Sequence, residues 1–256
     1  MNSPYLSVSN LHKAFGANKV LQGVNLEIDR GDSLVILGGS GSGKSVLLKH
    51  MIGLLRPDSG YVHLGDVALS RLSESELFEV RKRFGMSFQE AALFDSYSVF
   101  ENVAFPIRRH RRNWSQAQVK NRVDACLDLV GMPNIGALMP SELSGGMRRR
   151  VGFARSIALE PEILLFDEPT TGLDPVMTSV LNKVIIDMRE NLHATTITIT
   201  HDLNSAREIA TKVAMLFKGQ MIECSERETF FASTDPLVRQ FLEGRPDGPL
   251  TEALMK

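Results

Sequence analysis

The chain has 256 residues, 43% of them apolar and 23% charged, enough to bury the core of one domain with a subdomain. Lysine and arginine number 29 against 30 aspartates and glutamates, and the formal charge of −1 excludes a nucleic-acid binder acting by bulk charge. No apolar run approaches the ~20 residues that cross a bilayer. The opening MNSPYLSVSN lacks the basic start and apolar core of a signal peptide, and Cys126 and Cys224 are expected as free, mostly buried thiols of a reducing compartment.

Apolar-alternating stretches near 5–11, 24–28 and 61–64 read as strands of an antiparallel region. Leu34 to Leu37, LVIL, reads as a buried strand feeding GGSGSGKS (38–45), which fits the phosphate-binding pattern G-x-x-x-x-G-K-[ST]. Such a loop wraps backbone N–H groups around phosphate oxygens. Glycines permit the tight path, and the helix that follows aims its positive end at the anion. Lys44 supplies a point charge to the β- and γ-phosphates, and Ser45 offers a hydroxyl to Mg²⁺. Val46, Leu47, Leu48 and Met51 form the apolar stripe of the helix.

Ser73 with Glu76, and Ser115 with Gln118, have capping-box spacing, so residues 73 to about 140 are expected as a mostly helical insert. Val119, Val123, Cys126, Leu127 and Val130 repeat at helical spacing, and Gln89 follows a short strand-like MSF. LSGGM (143–147) places Ser144, Gly145 and Gly146 at the start of the helix MRRRVGFARSIAL, a second anion-binding helix end. At least one of Arg148, Arg149 and Arg150 is expected on a solvated face.

Ile163 to Phe166 reads as a second buried strand ending in Asp167 and Glu168. Two carboxylates at the tip of a buried strand cost desolvation energy unless a cation or a reaction uses them. In GLDP (172–175) Asp174 caps and Pro175 opens the next helix, whose Val180, Leu181, Val184, Ile185 and Met188 are expected to face a core. Thr195 to Thr200 reads as a third strand, followed directly by His201. In the tail, Leu237, Phe241 and Leu242 share one helical face, and Pro246, Gly248 and Pro249 are expected to stop any helix and leave an extended end. Strands alternating with helices imply an α/β fold with helices packed on a parallel sheet.

Taken in order, GGSGSGKS, LSGGM, ILLFDEP (163–169), GLDP and TITHD (198–202) resemble the ATPase subunits of ABC transporters, over about Leu6 to Glu223. The resemblance implies a P-loop NTPase fold with a mixed or parallel sheet core, an antiparallel β subdomain and a helical subdomain at about 90–160. It implies one ABC ATPase domain over 1–256, ending in an assembly tail at about 235–256. ATP and Mg²⁺ are the implied ligands. Gly38, Gly39, Ser40, Gly41, Ser42, Gly43, Lys44, Ser45 and Val46 would hold the phosphates, Val46 standing where the family usually has Thr. Ser45, Gln89 and Asp167 would serve Mg²⁺, Glu168 would polarise the attacking water, and His201 would contact the γ-phosphate. Phe15 would stack on adenine, although an apolar aromatic before Gly16 also suits a core position. Ser144, Gly145, Gly146 and Asp174 would serve the ATP of a second copy in a head-to-tail homodimer. Met147 stands where Gln is commonest.

Three further segments, ALFDSYSVFENVAFPIRRH (92–110), MPSELSGGMRRR (139–150) and DPLVRQFLEGRPDGP (235–249), together resemble the ATPase of the Mla system. That system moves phospholipids between the membranes of Gram-negative bacteria and maintains outer-membrane lipid asymmetry. The resemblance implies a permease dimer whose helices enter a groove around Gln89 to Phe105, a STAS-domain protein on the helical insert, and a periplasmic lipid-binding subunit. It places the chain peripherally at the cytoplasmic face of the inner membrane. The alternatives are the ATPase of an amino-acid or ion importer, or of a related solvent-tolerance transporter. A DNA-maintenance ATPase would carry long coiled-coil inserts, and an ABC-type translation factor would carry two cassettes.

Overall fold

The structure, a computed structural model, describes residues 4–254. Residues 1–3 of the opening segment and 255–256 of the expected tail lie outside the described residues. Two compact units are distinguished, Met1–Leu77 with Ile199–Lys256, and Phe78–Thr198.

The first unit opens on a hairpin of β1 (Leu6–Phe15) and β2 (Asn18–Ile28), in antiparallel register from Leu6↔Ile28 to Phe15↔Asn18. Next comes β3 (Ser33–Leu37), buried throughout as a run without polar alternation should be, and then α1 (Lys44–Met51). β4 (Ser59–Leu64) returns antiparallel beside β1 and is followed by the short β5 (Val67–Ala68), giving the order β2-β1-β4-β5. The helix α2 (Glu74–Arg81) starts at the expected capping box: Ser73 N–H donates to Glu76 Oε2 at 2.8 Å, and Glu76 N–H to Ser73 Oγ at 3.3 Å.

In the second unit β6 (Phe84–Ser87) leads to α3 (Val99–His110), α4 (Gln116–Leu129) and α5 (Gly145–Ser156). β7 (Ile163–Asp167), α6 (Pro175–Leu192) and β8 (Thr195–Thr200) complete it, in the strand order β8-β7-β6. β6 and β7 run parallel, Gly85 opposite Leu164. A Cβ on Gly85 would lie 2.3 Å from the Ser156 carbonyl oxygen, so only glycine admits so close an approach of β6 to the end of α5. Phe153 and Phe166, both buried, meet edge to face at 5.1 Å between α5 and β7. The Ser115–Gln118 capping box is present, and a second one, Ser98 with Glu101, starts α3. The S-x-x-E spacing at 98–101 carries the same signal as the two pairs read from the sequence.

The chain then returns to the first unit through α7 (Leu203–Ile209) and β9 (Lys212–Phe217), which lies parallel to β3 from Leu34↔Lys212 to Leu37↔Met215. β10 (Gln220–Glu226) folds back on β9 through Lys218 and Gly219, at φ 46° and 75°, as a two-residue hairpin with positive φ at both centres. α8 (Arg227–Phe231), α9 (Pro236–Glu243) and α10 (Pro249–Leu254) close the chain.

Parallel strands, an antiparallel β subdomain and packed helices are the architecture the sequence implies. Four details differ. Val180 is 36% exposed, while the other four apolar positions of its stripe on α6 are buried. The tail does not end extended: Pro249 opens α10, because proline is tolerated in a first helical turn, where its missing N–H costs no hydrogen bond. In α9 the fully buried positions are Val238 and Gln240, with Leu237, Phe241 and Leu242 half-buried. Cys126 is buried, and burial pushes its thiol up to about 11, but Cys224 is exposed.

Candidate nucleotide site

The phosphate loop lies in the first unit, between β3 and α1. Its path needs glycine at two places. A Cβ on Gly38 would sit 2.3 Å from the Leu216 carbonyl oxygen, and Gly43 has φ 106° with Val20 O at 2.9 Å from where a Cβ would be. Lys44 is buried, and its Nζ donates to Gly38 O at 2.7 Å and Gly39 O at 3.0 Å, so the ammonium lies inside the loop. Ser42 Oγ is buried without a hydrogen-bond partner among the described residues, an arrangement that costs free energy unless a ligand oxygen completes it. An ammonium, an orphan hydroxyl and the N-terminus of α1 together fit a polyphosphate. Gly39, Ser40, Gly41 and Ser45 are exposed, and Val46 is half-buried.

Two more predicted residues belong to this unit. Phe15 stands at the tip of the β1–β2 hairpin, 48% exposed with Lys13 Nζ 5.5 Å from its ring centre, so it is free to stack and is not core. His201 is exposed on a rigid turn. Asp202 caps α7 by accepting from Asn204 N–H at 2.9 Å, and its own N–H donates to Thr200 Oγ1 at 3.0 Å.

The second unit holds the remaining residues. Asp167 and Glu168 are half-buried at the end of β7, and Glu168 is held at φ 48°, a region non-glycine residues seldom adopt. Strain of this kind persists where the surroundings over-determine it. Here the Thr171 hydroxyl donates to Glu168 Oε2 at 2.9 Å, and the Arg149 guanidinium donates to the Thr171 carbonyl. Arg149 therefore ties α5 to the loop that orients Glu168. Arg148 donates to Pro140 O at 2.9 Å and Arg150 to Gly131 O at 3.2 Å, so all three arginines bond to backbone; Arg148 is exposed, as expected of at least one of the three, while Arg149 and Arg150 are half-buried. Ser144 caps α5 through Met147 N–H at 3.3 Å, with Ser144 and Gly145 exposed and Gly146 buried. Asp174 Oδ1 accepts from Val176 N–H at 2.9 Å and Met177 N–H at 3.0 Å, as expected of the cap of α6.

Gln89 is exposed on the loop after β6. Just beyond it Ala91 and Ala92 are left-handed at φ 60° and 46°, and Arg155 of α5 donates to their carbonyls at 2.6 and 2.8 Å. Phe94, Tyr97 and Phe105 cluster next, with ring centres 4.9 Å apart for Phe94–Phe105 and 5.2 Å for Phe94–Tyr97. Phe94 and Phe105 border an open apolar groove of about 340 Å³ that also takes in Phe84, Met86 and Phe88. Asn102, fully buried on α3, pins the loop from Phe94 to Ser98 with four hydrogen bonds. Nothing in the spacing of residues marks Asn102, Arg149 or Arg155, because side-chain bonds to distant carbonyls leave no period in a sequence.

The chain belongs to the ABC transporter family, whose model matches residues 21–171, and it is an ATP-binding, ATP-hydrolysing subunit of such a transporter. It is 41% identical over 245 residues to the probable ribonucleotide transport ATP-binding protein mkl of Mycobacterium leprae, covering 96% of this chain and 70% of that one. It is also 41% identical over 250 residues to the intermembrane phospholipid transport system ATP-binding protein MlaF of Haemophilus influenzae, covering 98% and 94%. Among solved structures it is similar to the ATP-binding cassette MJ0796 in a dimeric post-hydrolysis state bound to ADP and Pi. The TM-score there is 0.80 at 30% identity, over 87% of this chain and 98% of that one.

Proposed function

We propose that this subunit powers phospholipid transport between the inner and outer membranes of a bacterium and so maintains outer-membrane lipid asymmetry. The supporting observation is length as well as identity. The phospholipid-transport relative is matched over 94% of its own length, whereas the ribonucleotide-transport relative, at the same 41% identity, is matched over 70%.

In this reading the loop Gly38–Val46 takes the phosphates, with Lys44 balancing the charge on the β- and γ-groups and Ser42 Oγ finding a partner. Phe15 offers its exposed face to adenine. Ser45, Gln89 and Asp167, an all-oxygen donor set, would hold Mg²⁺, whose charge stabilises the reacting phosphates when it is bound. Glu168 accepts the proton of the attacking water, in a carboxylate orientation set by its backbone and Thr171, and His201 contacts the γ-phosphate. Ser144, Gly145, Gly146 and Asp174 face the nucleotide of a second copy, so a homodimer forms two shared sites.

The aromatic groove beside Gln89 receives a helix of an integral-membrane permease. Its exposed Phe88, Phe94 and Phe105 are an apolar surface that a monomer has reason to cover. A STAS-domain protein and a periplasmic lipid-binding subunit complete the assembly, with this chain peripheral at the cytoplasmic face of the inner membrane. Among the described residues no helix is long and apolar enough to cross a membrane, so a permease must supply the spans. The test is to purify the complex from membranes through a tag on this chain and reconstitute it between donor and acceptor vesicles. ATP-dependent transfer of labelled phospholipid, absent with Glu168→Gln, is expected. ATPase stimulation by a ribonucleotide, amino acid or ion, with no lipid transfer, overturns the cargo assignment and leaves the ATPase intact.

A further inference from the structure

The C-terminal segment has no part in the chemistry above, yet it folds onto the phosphate loop of its own chain. A cavity of about 220 Å³ is lined by Gly39–Ser42 together with Phe217, Phe241 of α9 and Leu250 of α10. Gln240 holds that fold together. It is 3% exposed on a helix of mixed polarity, and a buried amide must find partners. Its Oε1 accepts from Leu250 N–H at 2.7 Å, and its Nε2 donates to Thr251 Oγ1 at 2.9 Å and Arg245 O at 3.1 Å. Gly248, at φ 149°, lies between α9 and α10 in a backbone conformation that favours glycine, and a Cβ there would come within 2.6 Å of Gln240 Oε1 and press on the bonded amide.

The fold-back also has a hydrogen-bonded route to the loop. Lys218 donates its ammonium to the Ala253 carbonyl, and the next residue, Gly219, donates its N–H to Ser42 O at 3.1 Å. The tail, the left-handed β9–β10 turn and the phosphate loop are thus bonded in series. Ser42 is the loop residue with the orphan hydroxyl. A glycine-rich loop loses more conformational freedom on being fixed than any other backbone. An external support that fixes it beforehand therefore favours ligand binding.

We propose that Asp235–Leu254 is a strap that braces the phosphate loop of its own chain, with Gln240 as the positioning residue that keeps the strap seated. The proposal rests on reading Gly38–Ser45 as the nucleotide loop. With the strap seated the loop is held ready for phosphate; with the strap released the loop loosens, and ATP binds more weakly while the hydrolytic step is unaltered.

The test compares the full-length chain with Gln240→Met, which keeps length and loses the hydrogen bonds, with Gln240→Glu, which keeps the acceptor, and with Phe241→Ala. ATP affinity is measured at concentrations where the chain is monomeric, together with nucleotide-free thermal stability and amide hydrogen exchange of residues 38–45. Gln240→Met and Phe241→Ala should bind ATP about three- to tenfold more weakly, the loss of one or two net hydrogen bonds or the equivalent packing. Exchange should quicken in the loop, Gln240→Glu should fall between, and in the assembled transporter KM should rise with kcat held. Unchanged affinity and loop exchange in both variants overturns the strap. So does a loss of affinity accompanied by faster exchange throughout the first unit, or one that emerges only where chains dimerise. Lys44→Ala is the control: if it binds ATP normally, the loop reading itself has failed.

Discussion

Replacing Asn102 by alanine should unpin the segment that shapes the aromatic groove. Asn102 Oδ1 accepts from Phe94 N–H at 2.8 Å, and its Nδ2 donates to the carbonyls of Phe94, Tyr97 and Ser98 at 3.0–3.1 Å. The amide has two hydrogens for three carbonyls, so the set is worth about three bonds at a net ~1 kcal/mol each. Phe94 and Tyr97 are exposed, and water reaches part of the freed backbone, which puts the cost at about 2–4 kcal/mol. For a chain of this size that lowers the melting temperature by roughly 4–16 °C. Asn102→Asp is the sharper test. It retains the acceptor for Phe94 N–H but sets a carboxylate against three carbonyl oxygens, and it should be the less stable variant. Thermal unfolding of the three proteins and capture of the permease from detergent extracts check both parts. A shift under about 2 °C for alanine, or an aspartate variant as stable as the native chain, would refute the pinning argument.

Glu168→Gln keeps the shape of the site and removes the base, so phosphate release in the assembled complex should fall by about 10²–10⁴-fold while ATP still binds. Arg155→Ala frees the carbonyls that hold Ala91 and Ala92 left-handed; permease-coupled hydrolysis should drop about tenfold or more with ATP affinity unchanged, and equal coupling in the variant counts against the clamp. His50 is buried on α1 with Nδ1–H donating to Val46 O at 2.7 Å, and desolvation holds its pKa below the usual 6.5. The unfolded chain therefore takes up this proton first as pH falls, so stability declines below about pH 6.5 until the folded-state pKa is passed. A melting temperature that rises with pH through that window in the native chain, and is flatter in His50→Phe, is the expected pattern.

What could be read from the sequence was local chemistry. A glycine loop between a buried strand and a helix, serine three residues before glutamate or glutamine, and proline after a capping aspartate are each written in adjacent residues, and each gave the right element. The paired carboxylates at the end of β7 were legible for the same reason, since an apolar run ending in two acids is conspicuous. Contacts between residues far apart in the chain were not legible. Arg155 and Ala91, Arg149 and Thr171, and Gln240 and Leu250 are joined by side chain-to-backbone or loop bonds that impose no spacing. Pro249 misled because its effect depends on position: inside a helix it breaks a bond, and in a first turn it breaks none.

The same distinction bears on cargo. Residues that hold a triphosphate are dictated by the triphosphate, so relatives named for phospholipid and for ribonucleotide transport are alike at the same 41% identity. Specificity has to enter through surfaces that nucleotide chemistry leaves unconstrained. In this chain the groove of Phe88, Phe94 and Phe105 is such a surface. The groove is joined to α5 by Arg155, and α5 to the Glu168 loop by Arg149. Under the proposed function, a partner helix that shifts the groove would therefore act on the same helix that orients Glu168, a route by which an unseen cargo can set the rate of hydrolysis.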